Sequence, residues 1–540
     1  MYDGINNFTL PIWPDAESQA TRGQDLLGLR NVAQTIGNDC LNGITTISPM
    51  VRNLSLRSWY IKMFKEYGLE QGFNEFTDNL ERTVAIGTVL HKPNINGVVG
   101  ITKALEIIER DEEHIIIEKL VKTAPVMTTY KGPAEALDIS FDDNGNIGLT
   151  TDRGLPLADT VMTQVKNTEI VKKIIKNKKI HSFSREELNE IGQILSVDQV
   201  PDEERKLLLD IIIPKEPSSI GWDRLEINRI ATYTLLLHLV KSNEIIPSEA
   251  DFFKIISNPE LLINTNLNYI INGWFCFLSR DLIALSHEKV LELVVNELKT
   301  TERVQTHKNK IINNVISDIG SIEEELHYLD IISDRVSFAN LSFLEVYNKV
   351  KQFINDGIFL NKSINRWSNT TLDESALIDR LNSNSSGLVA LIPIIWIIAY
   401  FRYRAGIEDE IMEIKLLSRG GAGRFGLNEL IFPNIEKWKN DDPKYSQVIG
   451  ELVEMTVDQH AQIAWSRIET GDMSILLVDG ENWQYKDNSF KADSTASRLK
   501  QALGWLKQLQ LIDNRGITTD GDDVLNRGYD SLAKYYSEQI

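Results

Sequence analysis

The sequence predicts a mainly α-helical, multi-domain protein with small β wings, arranged in two winged-helix-like units. Apolar residues recur every three or four positions through most of the chain, which is typical of amphipathic helices. Two short stretches, 138–150 and 510–519, alternate like β-hairpins and directly follow helical patterns. At 540 residues the chain is long enough for three or four domains.

The first 80 residues are predicted to form an N-terminal helical segment. One helical pattern covers 26–40, and another covers 49–67 after a turn at Asn42 and Gly43. Ser48 is a suitable cap for the second helix, because proline is well tolerated in a first helical turn and Pro49 follows it.

Residues 81–165 are predicted to be the first winged-helix-like unit. Asn144 and Gly145 form the kind of turn that closes a hairpin between two short alternating segments. Helices are expected before this hairpin, at 85–90, 98–108, 111–122 and 130–137.

Residues 441–540 are predicted to be the second such unit, separated from the first by a helical body at 166–440. A helix at 496–509 leads into its hairpin. The motif N-x-G-[LI]-T-T-D begins at Asn146 in the first unit and at Asn514 in the second. Glycine permits the turn and threonine favours a short strand, so the same local structure is expected twice.

The sequence predicts a cytoplasmic protein with no membrane span, no metal site and no cofactor. The apolar run 387–401 contains Pro393 and is shorter than the roughly 20 residues that span a bilayer. We therefore expect a buried core helix there, capped near Ser385 or Ser386. Cys40 and Cys276 have no neighbouring Cys or His in a zinc-binding spacing.

The net charge of −20 excludes a uniformly basic nucleic-acid coat, yet two stretches are locally basic. Residues 41–65 carry four basic residues and no acid. Residues 166–185 carry seven basic residues and one acid, a net of 7 − 1 = +6. Both stretches are expected to contact phosphates.

The predicted nucleic-acid-binding residues lie in three segments, which are 52–65, 166–185 and the helix at 496–509. In the first, the alternative is a helix with core aromatics and with basic residues paired to acids. In the second, the alternative is a solvated connection between helices. The third is a helix with lysines on one face, but residues 441–540 carry a net charge of 10 − 17 = −7, which favours protein contacts. The set is Arg52, Arg57, Trp59 and Lys62; then Lys172, Lys173, Lys176, Lys178 and Lys179; then Lys500 and Lys507.

A catalytic role is not the expectation. Glu413 and Lys415 follow Asp409 and match the acid plus E-x-K pattern of some metal-dependent nucleases. That pattern occurs on a sheet in such enzymes, whereas the preceding segment is predicted to be a core helix.

The N-terminus resembles that of an uncharacterised bacterial family. The motif LGLR at 27–30 is followed by GITT at 43–46 and by an arginine–aromatic helix from Arg52. Asn42 stands where the family has proline. Residues 497–509 are also similar to the C-terminal ends of such proteins. The resemblance implies a gene neighbourhood of restriction and antiphage defence, and it transfers no catalytic residue.

We therefore expect a non-catalytic nucleic-acid-binding or scaffold component of a bacterial defence or DNA-processing complex, with a protein partner encoded nearby. One alternative is a protein-binding adaptor that does not contact nucleic acid. Another is a metal-dependent nuclease that uses Glu413 and Lys415.

Overall fold

The structure is a computed structural model that describes residues 25–538 with internal gaps. The gaps are at 46–47, 69–71, 96, 99, 111, 121–125, 178–179, 217–222, 245, 257–264, 302–303, 334–335, 356–373, 384, 405–423, 469–473 and 487–489. Lys178, Lys179, Glu413 and Lys415 therefore lie outside the described residues.

The described chain is mainly helical with small sheets, as the sequence predicts. The helices of the N-terminal half are α1 (Leu29–Cys40), α2 (Asn53–Tyr67), α3 (Phe73–His91), α4 (Ile101–Glu109), α5 (Val126–Thr129), α6 (Lys131–Ala136), α7 (Gly154–Val165), α8 (Glu169–Asn177), α9 (Arg185–Leu195), α10 (Asp202–Ile212), α11 (Arg224–Asn243) and α12 (Glu249–Ile256). The helices that follow are α13 (Asn268–Lys299), α14 (Lys308–Ile316), α15 (Ile319–Tyr328), α16 (Phe343–Asn355), α17 (Glu374–Leu381), α18 (Leu391–Arg404), α19 (Phe432–Asp441), α20 (Tyr445–Ser466), α21 (Leu499–Gln508) and α22 (Thr519–Glu538).

The strands of the described residues form small antiparallel sheets, in which β1 pairs with β4, β2 with β3, β7 with both β5 and β6, and β8 with β9. The strands are β1 (His114–Ile116), β2 (Ser140–Asp143), β3 (Asn146–Leu149), β4 (Ser182–Ser184), β5 (Thr306–His307), β6 (Leu476–Asp479), β7 (Asn482–Tyr485), β8 (Ile512–Asp513) and β9 (Gly516–Ile517).

The chain divides into two compact units, and each unit is built from two separate stretches. Unit 1 comprises Met1–Gly37 and Ala250–Ala496, and unit 2 comprises Asn38–Glu249 and Ser497–Ile540. The segment 441–540, expected as one domain, thus contributes to both units. A pattern read along the sequence can only divide the chain into contiguous segments. The composition need not change where Ala250–Ala496 separates the two stretches of unit 2, so the sequence does not mark these boundaries.

Unit 2 contains a close crossing of α3 and α9. Gly87 and Gly192 meet there, and a Cβ atom on Gly192 would lie 1.9 Å from the carbonyl oxygen of Gly87. Neither position has room for a side chain, because the backbones themselves are in contact. The crossing fixes α9 against an apolar core to which α7 and α8 also contribute buried residues.

The hairpin β2–β3 is present where the sequence predicts it. Asp138, just before it, has a left-handed backbone with φ of 54°. Thr150 closes the hairpin: its backbone N–H donates to the carbonyl of Ile139 over 3.1 Å, and its hydroxyl donates to the carbonyl of Asp138 over 2.7 Å. The same hydroxyl accepts the N–H of Gly154, where α7 begins, over 3.1 Å.

The hairpin β8–β9 repeats these contacts. Gln510 has a φ of 59°. Thr518 donates its N–H to the carbonyl of Leu511 over 3.0 Å and its hydroxyl to the carbonyl of Gln510 over 2.7 Å, and it accepts the N–H of Gly521 over 3.0 Å. The shared motif therefore accompanies the same helix–hairpin–helix geometry in both places.

The expected helix at 111–122 is wrong over its middle part. His114–Ile116 is strand β1, which pairs with Ser182–Ser184. Ile115 and Ile117 are buried, whereas Ile116 between them is 48 % exposed. This alternation has the period of a strand, and β-branched isoleucine favours it.

In unit 1, the apolar run 387–401 is a buried helix, as expected. The hydroxyl of Ser385 accepts the N–H of Gly387 over 3.2 Å, so the predicted cap is confirmed. A short 3₁₀ turn, Ser386–Ala390, leads into α18, which contains Pro393. Among the helices that the structure describes, none has the length and apolar character required to cross a membrane.

Candidate nucleic-acid interface

Helix α8 of unit 2 separates apolar from basic side chains. Three aliphatic residues on one side are buried: Ile170, Val171 and Ile174. The opposite side carries lysines, and because Lys176 follows Lys173 by three residues and Lys172 by four, these lysines share one side of the helix. We call these lysines, together with the one at the preceding turn, the α8 lysine surface: Lys166, Lys172, Lys173 and Lys176.

A three-residue turn places α8 directly after α7. Thr168, the last residue of this turn, is buried, and both its N–H and its hydroxyl donate to the carbonyl of Val165, over 2.9 Å and 2.8 Å. Its hydroxyl also accepts the N–H of Val171 over 3.4 Å in the first turn of α8. Threonine is a preferred residue for this role, so the sequence itself defines where α8 begins.

Two members of the α8 lysine surface have ion-pair partners at the surface. Lys172 lies 2.7 Å from Glu169, and these side chains are 53 % and 58 % exposed. Lys173 pairs with Glu187. Lys166 and Lys176 make no ion pair with any residue that the structure describes. The exposed pair of Lys172 with Glu169 contributes about 0–1 kcal/mol, so a phosphate can replace this carboxylate at little cost. The Glu187 side chain is only 14 % exposed and stays in place beside Lys173.

Glu187 also positions the base of the surface. Its carboxylate accepts the N–H of Ser184 over 2.9 Å, and the Ser184 hydroxyl accepts the N–H of Glu187 in return, which forms a capping box on α9. Burial raises the pKa of Glu187, but hydrogen bonds from Lys173 and Ser184 outweigh it and the pKa is lowered overall. This carboxylate is therefore ionised at neutral pH and belongs to the scaffold of the surface.

The predicted contact through Arg52 is wrong, because the side chain is buried. Its guanidinium donates to both carboxylate oxygens of Glu204, over 3.2 Å and 3.3 Å. It also donates to the carbonyl of Ser196 over 2.7 Å and to the amide oxygen of Gln164 over 3.0 Å. Arg52 is thus a structural ion-pair residue of unit 2.

Arg57 and Trp59 are also buried and cannot contact nucleic acid from the surface. Arg57 donates to the carbonyl of Met127 over 3.2 Å and to the hydroxyl of Ser140 over 2.7 Å. Burial lowers the pKa of this guanidinium to about 10. The sequence left open the alternative that the aromatic residues of this segment lie in the core and its basic residues pair with acids. The burial of Trp59 and the pairing of Arg52 with Glu204 agree with that alternative.

Lys62 lies on α2, which begins directly after Arg52, and its side chain lies near the surface beside two acids. Its ammonium lies 2.5 Å from Glu66 and 3.2 Å from Asp159, with 18 % of the side chain exposed. These hydrogen bonds raise the pKa of Lys62, with burial opposing them. Because Glu66 and Asp159 neutralise the ammonium of Lys62, this lysine is poorly suited to contact a phosphate.

The lysines of α21 are exposed but sparse. Lys500 and Lys507 are one heptad apart, and Lys507 donates to the amide oxygen of Asn514 over 2.9 Å. The helix itself packs closely elsewhere, since a Cβ atom on Gly504 would lie 2.5 Å from Pro49. α21 offers two separated charges where α8 offers three within five residues.

In unit 1, the side chain of His287 on α13 is buried and forms hydrogen bonds with two other side chains of the same unit. The Nε1–H of Trp396 donates to Nε2 of His287 over 3.0 Å, so Nδ1 carries the proton of a neutral ring and donates to Thr456 over 2.7 Å. Burial lowers the pKa of His287 to about 3. Next to it, Arg30 forms a two-point ion pair with Glu288.

This polar group has the character of a structural network. Burial raises the pKa of Glu288 to about 7, against the effect of Arg30. Within the ranges that the structure describes, no three His, Cys, Asp or Glu side chains come together in a way that could hold a metal ion.

Comparison with known proteins returns no match to a protein family, to a curated protein or to a solved structure. The α8 lysine surface is therefore interpreted from its own residues.

Sequence reasoning missed how the lysine-rich stretch is divided. The stretch begins just after α7 and contains a capped turn, the short helix α8, strand β4 and the first residue of α9, and Lys166 belongs with the lysines of α8. The signal was available: apolar positions at 161 and 165 and again at 170, 171 and 174 are interrupted by a three-residue polar spacer that ends in threonine.

Proposed function

We propose that the protein is a non-catalytic nucleic-acid-binding component of a bacterial defence or DNA-processing complex, and that it contacts phosphates through the α8 lysine surface. The observation that carries this proposal is the set of exposed lysines on one face of a helix whose other face is buried in the core of unit 2. The defence setting is the one implied by the N-terminal resemblance.

The spacing of the lysines supports contact with a charged backbone. Residues 172 and 176 are separated by a rise of about 6 Å along a helix. Release of condensed counterions is the main source of affinity for such a surface, so the affinity depends strongly on salt.

We further propose that the two helix–hairpin–helix segments are winged-helix-like and act mainly in protein contacts. Both repeat the same threonine-centred hydrogen bonds. Both hairpins also carry acids, with Asp142 and Asp143 in the first and Asp513 in the second. Carboxylates repel phosphate, so these hairpins are poorly suited to line a nucleic acid.

The test is equilibrium binding of the full chain to a labelled DNA duplex over a salt series. With about three phosphates neutralised, log affinity should fall with log salt with a slope of about −2.7, or about 40-fold between 50 and 200 mM. The triple variant Lys166→Gln, Lys172→Gln, Lys176→Gln should lose most of this slope.

The matched control removes the same charge from other exposed positions of unit 2: Lys500→Gln, Lys507→Gln and Lys534→Gln. This control should retain the affinity and the slope of the native chain. Absence of binding at low salt, or equal loss in both triple variants, would contradict the proposal and favour the adaptor that binds protein alone.

A further inference from the structure

The connection between α7 and α8 has the length of the turn in a helix-turn-helix. The two helices are joined by the three residues 166–168, and such motifs use turns of three or four residues. Thr168 is buried and bonded to both helices, so the turn is a defined part of the fold.

Both helices are anchored to one core, and this leaves a single face of α8 outside. Val161 and Val165 of α7 and Ile170, Val171 and Ile174 of α8 are buried in the same apolar cluster. The outward face of α8 therefore lies on a rigid support, as a helix that reads a groove requires.

The side chains of that outward face suit base edges as well as phosphates. Lysine donates to the O6 and N7 atoms of guanine, and a carboxylate such as that of Glu169 accepts from the amino group of cytosine. α8 contains no aromatic residue, so it has no ring on which an unpaired base would stack. These features favour a duplex over a single strand.

The shape of the duplex selects between DNA and RNA. An α-helix with its side chains is about 10–12 Å across and fits the major groove of B-form DNA, which is about 12 Å wide. The major groove of A-form RNA is too deep and narrow for side chains to read.

We propose that α7, the turn and α8 form a helix-turn-helix in which α8 enters the major groove of B-form duplex DNA. This inference rests on the proposed function, since it assigns a substrate class to the same α8 lysine surface. It also assigns the major groove to α8 and not to α21, whose Lys500 and Lys507 the sequence predicts to bind nucleic acid.

The experiment compares three probes of one mixed sequence of about 20 nucleotides at equal salt: a DNA duplex, an RNA duplex and single-stranded DNA. The DNA duplex should bind at least about tenfold more tightly than the other two. Methyl green, which occupies the major groove, should displace the protein, and netropsin, which occupies the minor groove, should not.

A pair of variants locates the helix that enters the groove. Lys172→Ala with Lys176→Ala should weaken duplex binding by about tenfold or more, whereas Lys500→Ala with Lys507→Ala should change it by less than about twofold. All four positions are exposed, so circular dichroism melting should show native stability in both variants.

The outcomes separate the two proposals. Equal affinity for DNA and RNA duplexes, together with a loss in the α8 variant, would overturn the helix-turn-helix and leave phosphate binding in place. Displacement by netropsin alone, or a loss confined to the α21 variant, would also overturn it. No binding to any probe would overturn both proposals.

Discussion

The buried ion pair between Arg52 and Glu204 gives the sharpest stability prediction. Their side chains are 1 % and 0 % exposed, and the guanidinium contacts both carboxylate oxygens. In Arg52→Met, Glu204 would remain buried with Gln164 as a hydrogen-bond donor at 3.3 Å. An uncompensated buried charge of this kind costs about 3–5 kcal/mol.

Hydrogen exchange under native conditions is the suitable assay, because a chain with two units does not unfold in a single two-state step. A loss of about 4 kcal/mol lowers the protection of the most stable amides in α2 and α10 by about a thousandfold. Lys62→Met in α2 removes the ion pairs with Glu66 and Asp159 near the surface and should change the stability by less than about 1 kcal/mol.

The double variant Arg52→Met with Glu204→Leu tests whether the cost of Arg52→Met comes from the unpaired carboxylate of Glu204. It removes both charges, so it should recover at least about 1 kcal/mol relative to Arg52→Met, although Gln164 and the carbonyl of Ser196 still lose a partner. If Arg52→Met cost no more than Lys62→Met, or if the second substitution added to the damage, then the stabilisation of unit 2 does not depend on the pairing of these charges.

Three further predictions concern unit 2. Gly192→Ala places a Cβ atom 1.9 Å from the carbonyl oxygen of Gly87 and should destabilise unit 2 by about 1–3 kcal/mol, measured by hydrogen exchange. An unchanged stability would contradict the close crossing of α3 and α9. Burial raises the pKa of Glu81 to about 7, so the contribution of its protonation to stability is complete below the unfolded pKa of 4.5 and is lost as pH rises through 7. The stability of unit 2 in hydrogen exchange, corrected for the pH dependence of intrinsic exchange, should therefore fall from pH 5 to pH 8 more steeply in the native chain than in Glu81→Gln, and parallel slopes would contradict this. Thr150→Val and Thr518→Val should each cost about 1–2 kcal/mol in hydrogen exchange of unit 2, because both remove the same closing hydroxyl. Thr163→Val, on an exposed face, is the control and should cost less.

The local structure was largely predictable from periodicity and turn residues. The buried helix after Ser385, the hairpin at Asn144 and Gly145, and the second hairpin after α21 all follow from patterns that involve neighbouring residues. Residues 111–122 were the exception, because a run of isoleucines satisfies a helical and a strand pattern equally well, and only pairing with residues 182–184 decides between them.

The long-range structure was not predictable from the same signals. Arg52 and Arg57 lie in a stretch without acids, yet Glu204, which neutralises Arg52, is 152 positions away. Composition within a window cannot report such a partner, so a buried ion pair and an exposed basic patch look the same in sequence. The lysines of α8 differ because the aliphatic residues between them reveal which face is buried.

The discontinuity of unit 2 has a consequence for its synthesis. Arg498 donates to the carbonyl of Ile44 over 3.4 Å, and Gln508 donates to the carbonyl of Val197 over 2.7 Å. These partners are separated by hundreds of residues, and the intervening Ala250–Ala496 belongs to unit 1. The ribosome must therefore release residues 497–540 before unit 2 can close, and their synthesis takes about 2–9 s after unit 1 is complete, at 5–20 residues per second. During that interval unit 1 already has its full sequence, while α11 still lacks its neighbour α22, and we expect chaperone capture at the apolar face of α11.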